Sequence, residues 1–105
     1  MFDCHDPAHL ATFWAAALNY ATNTNDPDHA WAYNPQGTRP YLLFNEVPEP
    51  KIVKNRVHVD LDTDDVDAEV ARLETLGARR LRFVNGGERL WRIMADPEGN
   101  EFCVP

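Results

Sequence analysis

Apolar positions along the chain change period several times, and each change marks an element. Leu10, Phe13, Trp14, Ala17 and Leu18 recur at three- and four-residue spacing. That spacing puts one apolar stripe on a helix at about residues 7–20. Asp6-Pro7 starts it well: an aspartate accepts from free N–H groups, and a proline at the first position has no N–H to leave unpaired. A second stripe, Val66, Val70, Leu73 and Leu76, predicts a helix at about 65–76. Asp64 or Asp65 can cap it, early acids suit its positive end, and Gly77 fits the left-handed residue just past it. Elsewhere the period falls to two. Residues 56–61, "RVHVDL", place Val57, Val59 and Leu61 on one face and Arg56, His58 and Asp60 on the other. Further strands are expected at 79–84, 90–95 and 101–104, joined by the turns "NGG" and "DPEGN". In the first half, strands are expected at 1–4, 30–33 and 41–45, with a ragged one possible in 21–28.

The two halves repeat an order of elements without repeating residues. Each reads strand, helix, strands, so an internal duplication with a period near fifty residues is expected. Pro48 and Pro50 mark a linker, since a proline cannot donate to a sheet ladder. The boundaries are a first module at 1–47, a linker at 48–54 and a second module at 55–105. The class is α+β. A helix must bury its stripe, so the valine face of 56–61 is expected beneath the second helix. His58 then looks the other way. Alternation in the last strand puts Phe102 and Val104 on one face and Glu101 and Cys103 on the other. His58, Glu101 and Cys103 are therefore expected to share the face turned from the helix.

Composition narrows the partners. The chain has 105 residues and a formal charge of −7. An acidic surface repels nucleic-acid phosphate and anionic lipid, so neither is expected as a partner. No apolar run approaches the roughly 20 residues that cross a bilayer, and Asp3, His5 and Asp6 interrupt any leader pattern. Cys4 and Cys103 are too few for a disulfide framework and fit a reducing cytoplasm. No glycine-rich dinucleotide loop, phosphate loop or paired-cysteine metal spacing is present.

His58 carries most of the candidate chemistry. An imidazole on a strand face can ligate a metal, exchange a proton or hydrogen-bond a ligand; equally, it can be a polar floor satisfied by a carboxylate. Glu101 and Cys103 are its candidate partners. Cys103 as a nucleophile would need a favoured thiolate; a cysteine near a strand end is more often a small buried hydrophobe. His9, early in its helix, is expected to be exposed. Trp31, Tyr33, Tyr41, Phe44, Trp91 and Met94 lie on strands and offer an apolar lining, with Arg39 or Arg92 to orient an anion. Arg79, Arg80, Arg82, Arg89 and Arg92 form a local basic cluster, with Arg80 and Arg82 on one face by alternation.

Three segments together resemble the glyoxalase-like domains of the vicinal oxygen chelate superfamily. They are "WRIMADPEGNEFCV" (91–104), "KNRVHVDLDTDDVDAEVARLETLGA" (54–78) and "DCHDPAHLATFW" (3–14), with "LLFNEVPEP" (42–50) similar to the link between paired modules. The resemblance implies two βαβββ modules forming a curled mixed sheet around a cleft, with helices outside. A small organic ligand is expected in that cleft, and the short first strand leaves an unprotected edge, so a homodimer is expected. Metal-using members carry a histidine where His58 stands and a glutamate where this chain has Cys103. Glu101, two residues earlier, faces the same way. The first-module ligand falls before Met1 in the same alignment, and His5 comes too late to replace it. The expectation is thus a cytoplasmic small-molecule-binding protein without the full metal site. His58, Trp91, Arg92 and Cys103 would surround the ligand. One alternative is a metal-dependent lyase or isomerase acting on a small carbonyl compound, with His58 and Glu101 on a divalent ion. Another is a non-catalytic dimeric interaction protein.

Overall fold

The structure is a computed structural model, and it describes residues 1–88 and 90–105. Two compact units divide the chain, Met1–Lys51 and Ile52–Pro105. Each is one helix on one four-stranded mixed sheet.

The first unit runs β1 (Phe2–Cys4), α1 (Pro7–Leu18), β2 (Ala21–Asn23), β3 (His29–Tyr33) and β4 (Leu42–Glu46). Its strand order is β1-β4-β3-β2, with β1 parallel to β4 and the rest antiparallel. The Asp6 carboxylate accepts from the His9 N–H at 3.1 Å, which starts α1. The helix ends at Leu18 because Asn19 turns left-handed at φ 56°, two residues short of the expected Tyr20. Leu10, Phe13, Trp14 and Ala17 are buried against Ala30, Ala32 and Phe44 of the sheet. Trp31, opposite Leu43 in the ladder, lies on the other sheet face. The ragged strand expected in 21–28 is β2.

The second unit runs β5 (Val59–Asp60), α2 (Val66–Leu76), β6 (Arg79–Asn85), β7 (Leu90–Ala95) and β8 (Glu101–Val104), in the order β5-β8-β7-β6. Asp65 caps α2 through the Ala68 N–H at 3.1 Å, and Gly77 closes it at φ 116°. Val70 and Leu73 are buried, as are Met94, Phe102 and Val104 beneath α2.

Two expectations about this unit are corrected. The strand expected at 56–61 is only two residues long, paired in parallel with β8 at the sheet edge. Val59 does sit opposite Phe102, on the helix side, but it is 36 % exposed and Val57 is 77 % exposed. A two-residue edge strand lies beyond the reach of the helix, so only Leu61 of the three apolar positions is buried. The second correction concerns Arg80 and Arg82. A bulge at Leu81 breaks the alternation: Arg80 pairs with Met94, whereas Arg82 pairs with Ile93. An extra residue in one strand reverses the facing of everything after it. The two arginines therefore point to opposite faces.

Candidate functional site

The site is built on β8 and the segment leading into β5. Ladder register fixes which side chains share the face turned from α2. Asp60 lies opposite Cys103, Cys103 opposite Ile93, and Ile93 opposite Arg82. Glu101 is on that face two residues before Cys103. Asn55 ties the incoming segment down, because its side-chain carbonyl accepts from the Glu101 backbone N–H at 3.0 Å. That bond carries Lys54 and His58 to the same place.

Three nitrogens then meet one oxygen. Lys54 Nζ donates to Glu101 Oε2 at 2.8 Å. His58 Nε2 is 3.2 Å from the same oxygen, and Arg82 Nη2 reaches it at 3.4 Å. Arg82 spans two strand spacings to do so, roughly 10 Å, which the length of its side chain allows. The other imidazole nitrogen, His58 Nδ1, is 3.5 Å from Cys103 Sγ. Glu101 is mostly shielded, with 15 % of its side chain exposed, and the imidazole is half-buried.

Charge decides what these groups can do. The Lys54 ammonium holds the Glu101 carboxyl below the usual carboxylate range, against the cost of burial, with Arg82 and His58 adding to the effect. Glu101 thus stays ionised and is a weak base. The order thiol, imidazole, carboxylate has the outline of a nucleophile with its base. Yet burial pushes the Cys103 thiol up, and the neighbouring Asp60 carboxylate pushes it further. A thiol kept protonated is not an activated nucleophile.

The depressed carboxyl has a pH consequence. Its stabilisation is complete above the ordinary carboxylate range near about 4.3, and it disappears as pH falls through the lowered folded-state value. Lys54→Met removes the largest cause. A carbon-detected NMR titration of the Glu101 side chain should then show its midpoint rising toward the ordinary range. An unchanged midpoint would mean that Lys54 does not set it.

The remaining candidates divide between the faces. Trp91 lies opposite Val84, on the His58 side, and is partly buried. Arg92, its neighbour in β7, necessarily points to the helix side. Its guanidinium sits 4.4 Å from the Phe83 ring centre and donates to Asp67 of α2 at 3.3 Å. The expected grouping of Trp91 with Arg92 is corrected on this point: adjacent strand residues cannot share a face. Arg89 of the basic cluster lies outside the described residues. His9 is exposed. In the first unit Trp31, Tyr33 and Tyr41 line a separate hollow with Asn23, whereas Phe44 is fully buried. Sequence reading missed Lys54, taking it for linker, and gave Asn55, the first residue of the second module, no role. The signal available was Glu101 itself, an acid on an inward face that needs a positive partner.

A family model described as a glyoxalase-like domain matches residues 1–105. The chain belongs to the glyoxalase-like domain family. A glyoxalase/bleomycin resistance protein/dioxygenase family enzyme from Burkholderia phytofirmans is similar in structure, with a TM-score of 0.76 at 16 % identity over 98 % of this chain and 91 % of that one. A variant of the fosfomycin resistance protein FosX from Listeria monocytogenes gives a TM-score of 0.77 at 11 % identity, over 98 % and 82 % of the two chains. That protein was solved with Mn(II) and 1S,2S-dihydroxypropylphosphonic acid. None of the curated proteins matches this chain in sequence. The vicinal oxygen chelate fold expected from the sequence is thus shown.

A divalent ion is the group this fold brings to mind, and the residues of this glyoxalase-like domain do not fit one. Among the described residues no group of three or more His, Cys, Asp or Glu side chains is arranged to hold a metal. The Glu101 oxygen nearest His58 already carries an ammonium and a guanidinium. A metal there would have to displace both.

Proposed function

We propose that this glyoxalase-like protein binds a small organic molecule against the His58 face of its second sheet, with no resident divalent ion. The observation that carries the reading is the Glu101 oxygen shared by Lys54, His58 and Arg82. Lys54 and Arg82 bring positive charge and N–H donors to that oxygen beside His58. His58 and the long cationic side chains form the polar end of the site, and Trp91 and Ile93 on the same face form its apolar wall. Such a mixture of apolar wall and few polar groups suits a small ligand with one polar end. Catalysis by a metal-dependent lyase or isomerase would require Lys54 and Arg82 to leave Glu101.

Two further parts of the reading have narrower support. Both cysteines are free thiols, which fits a reducing compartment such as the cytoplasm. A homodimer is the expected assembly, since a sheet edge in a small domain pairs readily with a second copy.

Fragment screening by two-dimensional NMR tests the ligand reading. A set of small carbonyl and hydroxy compounds at millimolar concentration should give saturable shifts at the His58 ring and the Trp91 indole, and His58→Ala should abolish them. Shifts confined to other surfaces, or shifts unchanged in His58→Ala, would overturn it.

A further inference from the structure

The opposite face of the same sheet carries a cavity. It has a volume of about 380 Å³ and is lined by Val70 of α2, residues 80–83 of β6, and Arg92, Ile93 and Met94 of β7. Small-molecule sites begin at about 300 Å³. Three lining residues are arginines and none is acidic, in a chain whose net charge is −7. Its aromatic member, Phe83, is 52 % exposed and bears the Arg92 guanidinium 4.4 Å from its ring centre.

The three arginines are not equally committed. Arg80 is held by Glu74 through two contacts, 2.9 Å at Nε and 2.8 Å at Nη2. Arg82 turns through the bulge toward Glu101. Arg92 makes a single long bond, 3.3 Å, to Asp67, whose side chain is 86 % exposed. A well-solvated carboxylate at that distance holds a guanidinium weakly. The ring beneath Arg92 fixes its plane, so less freedom is lost when a carboxylate binds it side-on.

We propose that this cavity binds a small organic anion with a planar apolar body. Its carboxylate replaces Asp67 as the partner of Arg92, and its body lies on the exposed Phe83 and Leu81. Arg82 and Ile93 line this cavity as well as lying on the His58 side, but the anion's partner, Arg92, points away from Glu101, so the two readings rest on different side chains.

Benzoate is the minimal probe, with benzamide as its neutral counterpart. Calorimetry and NMR on the whole chain should show saturable benzoate binding at least tenfold tighter than benzamide, with shifts at Phe83 and Leu81. Arg92→Gln should weaken benzoate at least tenfold and leave benzamide unchanged. Asp67→Asn should tighten benzoate several-fold, because it removes the competing carboxylate. His58→Ala should change neither, so that failure of this site and failure of the His58 site are distinguishable. Equal binding of benzoate and benzamide, or benzoate binding indifferent to Arg92→Gln, would overturn the proposal. So would a concentration-dependent dimer that Phe83→Ala converts to monomer, which would assign the groove to a second copy.

Discussion

Truncating Phe102 to alanine is expected to cost about 4 kcal/mol of folding stability. Phe102 is fully buried, lies between Val59 and Met94 in the ladder, and is covered by α2. Removing the ring takes away its transfer energy and leaves a cavity that a three-strand contact cannot collapse to fill. Total stabilities of small domains run about 5–15 kcal/mol, so this one change removes a large share. A urea-unfolding series measures it, with Phe102→Leu as the control that should cost only about 1 kcal/mol. The change also bears on function. Glu101 and Cys103 flank Phe102 in β8, and its burial holds their face turned toward His58. Ring signals of His58 should therefore shift in Phe102→Ala, although the ring of Phe102 points the other way. A cost below about 1 kcal/mol would contradict the packing described.

Asp96→Ala is the second large effect, expected at about 3 kcal/mol, or a fall in melting temperature of roughly 12–20 °C. Asp96 is the only buried charged side chain among the described residues. Its Oδ1 accepts from the Glu98 N–H at 3.0 Å and the Asn100 N–H at 2.9 Å, and its Oδ2 accepts from Asn100 Nδ2 at 2.9 Å. Its own backbone closes the turn: the Asp96 N–H donates to the Asn100 carbonyl and the Gly99 N–H to the Asp96 carbonyl, each at 2.9 Å. Gly99 is needed there because its φ is 92°. Alanine at 96 leaves those N–H groups without their acceptor. Asparagine keeps one acceptor oxygen and should cost about half as much. The turn sets the register in which Ala95 faces Glu101 and Ile93 faces Cys103. Its loss is thus a loss of the site's geometry as well. Calorimetric melting of the two variants checks both numbers, and an alanine variant as stable as the native chain would contradict the account.

These two residues show how far the sequence could be read. "DPEGN" was legible as a turn, but nothing in the letters distinguishes a solvated aspartate from a fully buried one. Period-two alternation correctly separated Phe102 from Glu101 and Cys103, because strand geometry allows no other arrangement. It also placed His58 with Asp60. Helix ends were legible for a similar reason: Asp6-Pro7 and Asp65 through Gly77 encode caps in local chemistry. Long-range effects were hidden. The bulge at Leu81 has no letter of its own, so Arg80 and Arg82 were expected together and lie apart. The depth of Val57 and Val59 depended on where α2 reaches, and a binary pattern does not carry that distance. Lys54 looked like linker and Asn55 like an idle first residue of the second module, since their partner Glu101 lies 47 and 46 residues away. Trp91 beside Arg92 was the avoidable case, because alternation alone forbids their sharing a face.

Titration calorimetry with Mn²⁺ and with Zn²⁺, on the native chain and on His58→Ala, measures most directly whether Lys54 and Arg82 supply the positive charge at Glu101. The account predicts that neither ion binds stoichiometrically at this position, and that the two proteins give the same weak background heats. One-to-one binding by the native chain that disappears in His58→Ala would contradict it.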